Sequence, residues 1–183
     1  MKHSLKFQTI REMAYISLAA VLIAVCAWIV VPAAVPFTMQ TFAVYLILDL
    51  LGAKRGAVCL VVYLAMGCIG LPVFSGGSSG FGILLGNTGG YMIGWLMSAA
   101  ISFGFEKFGR GTKISRIAAM ACGLGVCYLF GTVWFTALYT LKGGDIGFWG
   151  ALMMCVLPFV IPDAVKLVLA FTVSCRLKRI LRL

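Results

Sequence analysis

Two ionisable residues stand inside an apolar run, and they are the first places to look for chemistry. Asp163 and Lys166 form a D-x-x-K pair within Phe148–Cys175, directly after Pro162. A charged group at the centre of a membrane helix costs roughly 2.5–3.5 kcal/mol on insertion scales. At i and i+3 the two side chains share one helix face and can neutralise each other. Pro162 supplies no N–H, so it frees a backbone carbonyl nearby. One reading is a self-contained structural ion pair. The other is a polar ligand site, in which Lys166 meets an anionic or carbonyl group and Asp163 accepts N–H bonds. The second reading requires a water-accessible cavity between helices.

A second group lies between Ser75 and Trp95, in the run S-G-G-S-S-G-F-G-I-L-L-G-N-T-G-G-Y-M-I-G-W. It carries no charge, and glycine lets the backbone approach a neighbour or a ligand closely. Gly86, Asn87, Thr88, Gly89 and Tyr91 would present N–H groups, an amide and an aromatic ring together. Asn87 or Thr88 is suited to cap the helix that follows. Tyr91 and Trp95, four apart, suit either an interfacial aromatic belt or a wall for a flat ring. A tight re-entrant turn accounts for the same glycines. Gln40 and Thr38, at the start of another apolar segment, are weaker candidates. Asp49 is expected to pair with Lys54 and Arg55.

The elements that must position these residues follow from composition. The chain has 183 residues, 62% hydrophobic and 11% charged, with a mean hydropathy of +1.08. Soluble domains are roughly 45–50% apolar and about 25% charged. This is an all-α polytopic membrane protein, read as one domain over residues 1–183. Six spans are expected, at Ala14–Val31, Phe37–Leu51, Gly56–Leu71, Gly89–Phe105, Ile117–Leu141 and Phe148–Cys175. Pro32 and Pro36 close the first, and Pro158 and Pro162 break the last.

Net charge is +10, but its distribution speaks for topology, not nucleic acid. Of the 15 basic residues, 13 fall on one side: Lys2, Lys6, Arg11, Lys54, Arg55, Lys107, Arg110, Lys113, Arg116, Arg176, Lys178, Arg179 and Arg182. Lys142 alone lies on the other. By the positive-inside rule both termini are cytoplasmic and the glycine-rich loop is external. The seven cysteines lie in apolar runs without C-x-x-C spacing and read as small buried hydrophobes, not metal ligands or disulfides. There is no phosphate-binding G-x-x-x-x-G-K-[ST] loop, no H-E-x-x-H and no nucleophile–base pair, so an enzyme is not expected. On the first helix, Ser17, Ala20, Ala24 and Ala27 form a small-residue stripe that suits internal packing or a docking face.

Three motifs together carry a resemblance: Pro36-Phe37-Thr38-Met39-Gln40-Thr41, Gly86-Asn87-Thr88-Gly89-Gly90-Tyr91 with Gly94, and Pro162-Asp163-Ala164-Val165-Lys166. The chain resembles the BioY family, the biotin-specific S components of energy-coupling-factor transporters, over nearly its whole length. The resemblance implies capture of biotin from outside a bacterial cytoplasmic membrane, with no cofactor in this chain. It implies as partners a transmembrane coupling subunit and two cytoplasmic ATPases, which use the ATP. It also implies that the first-helix stripe, at Ala20 and Ala24, contacts the coupling subunit. Asp163, Lys166, Gln40, Gly86, Asn87, Thr88, Gly89 and Tyr91 are the substrate-binding candidates. The competing expectation is a self-contained secondary carrier for a small anionic vitamin, with Asp163 in ion coupling.

Overall fold

A chain this apolar must satisfy its backbone polar groups internally, and helices do so within each segment. The computed structural model describes residues 2–31, 37–109 and 111–181. Pro32 and Pro36, expected to close the first span, lie outside them, as do Arg110 and Arg182. Among the described residues are helices α1 (Lys2–Trp28), α2 (Gln40–Leu51), α3 (Ala53–Cys68), α4 (Phe81–Leu84), α5 (Gly89–Phe108), α6 (Lys113–Leu141), α7 (Gly147–Cys155) and α8 (Leu157–Leu181). Strands β1 (Val30–Val31) and β2 (Phe37–Thr38) pair antiparallel, Val30 opposite Thr38 and Val31 opposite Phe37.

Three helical stretches are long and apolar enough to cross a membrane: Ile10–Trp28, Lys113–Leu141 and Leu157–Leu181. Several of the expected spans are modified, each for a local reason. The first leaves the helix after Trp28, because β-branched Val30 and Val31 precede Pro32, and a residue before proline avoids the α region. The second starts only at Gln40, since Phe37 and Thr38 are used in the ribbon. The expected four-residue turn after it contracts to Gly52, at φ 84°, and Ala53 already opens α3. Its N–H bonds Glu106 Oε1 at 2.7 Å. The last span breaks once, at Val156. Pro158 sits in the first turn of α8, where its missing N–H costs nothing, and Pro162 is held inside the helix.

The closest helix pair is α5 with α6. Gly90, Gly94, Ser98 and Ser102 recur every four residues on α5, and Ala119, Gly123, Cys127 and Gly131 do so on α6; all are buried. A Cβ added at Gly90 would overlap the Trp134 side chain, and one at Gly131 would overlap the Tyr91 ring. Small residues at this spacing let two backbones approach closely. The alanines of the α1 stripe turn inward while Ser17 is exposed: Ala20 is 1% exposed, Ala27 is buried and Ala24 is half-buried against the core. Within the chain alone Ala20 packs inward, and Ala24 is the more accessible of the two.

The loop after α3 is pinned by Phe74, fully buried with its ring where a Gly67 side chain would lie. Gly80, at φ 99°, donates to the Gly67 carbonyl at 2.8 Å. Asp49 pairs with Arg116 of α6 through both carboxylate oxygens, not with Lys54 and Arg55. Those two sit on the first turn of α3. There Arg55 meets Glu12, and Lys54 lies over the Phe103 ring.

Candidate functional site

The D-x-x-K pair opens onto a cavity of about 230 Å³. Drug-sized ligands occupy roughly 300–1,000 Å³, so this one suits a small molecule. Its walls come from the β2–α2 junction, the loop around Ser75 and Ser78, the first turns of α5, mid-α6 and the first half of α8. Asp163 and Lys166 are the only charged groups among the lining residues. They are 5% and 4% exposed.

Each member of the pair is held by more than its partner. Lys166 Nζ donates to Asp163 Oδ1 and to the Thr38 carbonyl, both at 2.7 Å. It also lies 3.6 Å from the Phe37 ring centroid, a cation–π contact that strengthens when desolvated. Phe37 stacks on Phe159 of α8. The Tyr128 hydroxyl of α6 donates to Asp163 Oδ2 at 2.6 Å. Both carboxylate oxygens thus carry one bond, and each keeps capacity to accept another from a ligand N–H.

Of the residues nominated from sequence, Asp163, Lys166, Gln40, Thr88 and Tyr91 line the cavity. Trp95, one turn beyond Tyr91, lines it too. Thr88 occupies the N-cap position of α5, but its side chain makes no capping bond. Asn87, Gly86 and Gly89 are not brought to the cavity. Asn87 Oδ1 accepts from Lys142 Nζ at 3.4 Å. The Gly86 carbonyl accepts from Trp134 Nε1 at 3.0 Å, and Gly89 packs against the Leu84 backbone. Gly86 ties the loop to α6, Asn87 ties it to the residue that ends α6, and Gly89 packs the loop on itself.

Tyr128, Phe37 and Phe159 were not among the nominated residues. An aromatic in an apolar run gives no sequence signal that separates a site wall from core packing. The buried cysteines Cys127 and Cys155 also line the cavity, as small apolar surface.

The profile of the BioY family matches residues 1–183. The biotin transporter BioY of Thermotoga maritima is 34% identical over 174 residues, covering 93% of this chain and 97% of that protein. The probable biotin transporter BioY of Pyrococcus horikoshii is 37% identical over 144 residues, covering 79% and 81%. Among solved structures, the S-component for biotin from an ECF-type ABC transporter matches with a TM-score of 0.84 at 25% identity, over 94% of this chain and 93% of that one.

Proposed function

Because the chain belongs to the BioY family, we propose that it captures biotin as the substrate-specific S component of an ECF-type ABC transporter. It is a transport subunit and not an enzyme. The observation that carries this reading is the cavity in which Asp163 and Lys166 are the only charged lining groups among the described residues. Biotin offers two ureido N–H donors, one ureido carbonyl, an apolar thioether ring and an anionic tail. Asp163 accepts N–H bonds, Lys166 donates to a carbonyl or carboxylate, and Tyr91 and Trp95 cover the apolar ring. Purified protein is expected to bind biotin in a 1:1 ratio by titration calorimetry, and mass spectrometry should find biotin carried through purification. Absence of both would overturn the reading.

The energy source follows from what the chain lacks. With no phosphate-binding loop of its own, it draws on a transmembrane coupling subunit and cytoplasmic ATPases. A secondary carrier using Asp163 for ion coupling fits less well, since the solved structure that the chain matches is an S-component of an ECF-type ABC transporter. Six spans with both termini cytoplasmic remain the topology supported by the 13-to-1 distribution of loop charges. In that arrangement the cavity opens through the glycine-rich loop to the outside. In a variant stripped of native cysteines, Ser78→Cys should react with an impermeant thiol reagent from outside the cell. Thr112→Cys should react only after the membrane is opened. The reverse pattern would invert the protein.

A further inference from the structure

Hydrogen bonds linked through the body of Thr38 lead out of the cavity to a residue that does not line it. The path starts at Asp163 and passes through Lys166 to the Thr38 carbonyl, each bond 2.7 Å. Thr38 Oγ1 then donates to Gln40 Oε1 at 2.9 Å. Gln40 Nε2 donates to the Tyr63 hydroxyl at 2.7 Å, which donates to the Val73 carbonyl at 2.7 Å. Tyr63 is fully buried on α3 and is not among the lining residues.

The order of the protons gives this chain a direction. Tyr63 has one hydroxyl proton, and Val73 takes it, so the hydroxyl can only accept from Gln40. That fixes which end of the Gln40 amide faces Tyr63, and leaves Oε1 pointing at Thr38. The Thr38 hydroxyl is thereby committed to Gln40, while the Gln40 backbone N–H returns a bond to Thr38 Oγ1 at 3.2 Å. The turn between β2 and α2 is closed by this exchange, and its carbonyl is the acceptor that holds Lys166.

We infer that Tyr63 is a positioning residue for ligand capture: through Gln40 and Thr38 it sets the place of the Lys166 ammonium. Gln40, nominated from sequence as a ligand contact, acts chiefly as the middle link. The inference rests on the reading of the cavity as a biotin site. Without the Tyr63 hydroxyl Gln40 Nε2 loses its acceptor, the Thr38 hydroxyl alone is left to orient the amide, and the turn that presents the Lys166 acceptor loosens.

The test compares two buried tyrosines by biotin titration of purified, detergent-solubilised protein, with the thermal midpoint of the empty form measured alongside. Tyr63→Phe keeps the ring against Phe74 and removes only the hydroxyl. Tyr45→Phe removes an equally buried hydroxyl, bonded to Ser98 at 3.1 Å, that lies outside the chain of bonds. Tyr63→Phe is expected to weaken biotin binding by about tenfold, with a midpoint shift no larger than that of Tyr45→Phe, which should bind as wild type does. Should Tyr63→Phe fail to fold, Thr38→Val cuts the next link and should give a similar loss. Wild-type affinity in Tyr63→Phe, or in Thr38→Val when it stands in, would overturn the inference, as would an equal loss in Tyr45→Phe. Failure of wild-type protein to bind biotin would instead overturn the site itself.

Discussion

Replacing both charged residues of the cavity, Asp163→Asn together with Lys166→Met, is expected to weaken biotin binding by at least ~100-fold. The double change is more informative than either single one. Lys166→Met alone leaves Asp163 buried beside an apolar side chain, so any loss mixes a missing ligand contact with an unpaired charge. The double variant removes both charges at similar volume, and a buried pair that serves only the fold is often replaceable without loss. If the pair binds ligand, two charge-assisted bonds disappear, each worth roughly 1.5–3 kcal/mol. Tyr128 can still donate to the amide oxygen that replaces the carboxylate, so the cavity wall on α6 should survive. Biotin titration of the folded double variant decides the matter: near-native affinity would sink the claim that this pair is the centre of the site.

The second large effect should come from a residue with no polar atom in its side chain. Gly131→Leu places carbon where the Tyr91 ring now lies. Tyr91 lines the cavity and is 9% exposed, so it has no free space to retreat into except the cavity itself. Inserting extra carbon into a packed interior costs roughly 1–3 kcal/mol. The thermal midpoint should fall, and biotin affinity should drop by about tenfold or more as the ring intrudes on the ligand volume. Gly125, earlier on α6, is the control: no atom lies within 4 Å of an added Cβ. Gly125→Ala should leave binding unchanged and stability the same or slightly higher. Wild-type midpoint and affinity in Gly131→Leu would mean that α5 and α6 are not as closely apposed as described.

These two glycines also mark where sequence reasoning reached and where it stopped. Asp163 and Lys166 were legible because charge in an apolar run is expensive, and a residue that costs energy needs a reason. Gln40, Thr88 and Tyr91 were legible as polar or aromatic groups beside a glycine-rich turn. Asn87 had the same appearance, but its partner, Lys142, lies across the loop in the following connection, and nothing local announces that pairing. Small residues at four-residue spacing occur on α1, α5 and α6 alike. The pattern says that a close approach is possible, not which helix makes it, and for Ala20 it left packing and docking equally open. Asp49 was matched to its nearest basic residues in sequence, whereas the partner in space is Arg116, brought in by the crossing of α2 and α6. Tyr63 and Tyr128 were hidden for a different reason. Their rings belong to the apolar pattern, and only the hydroxyls, placed by tertiary packing, join the polar network.

The mutual neutralisation of Asp163 and Lys166 has an electrical consequence. One elementary charge carried across a membrane potential exchanges roughly 2.3 kcal/mol per 100 mV. Opposite charges 2.7 Å apart that travel together exchange almost nothing, because their contributions cancel. With no other charged group lining the cavity among the described residues, the pair gives the empty site almost no response to voltage. The anionic tail of a bound ligand would be the only uncompensated charge there, so voltage acts on the loaded site alone.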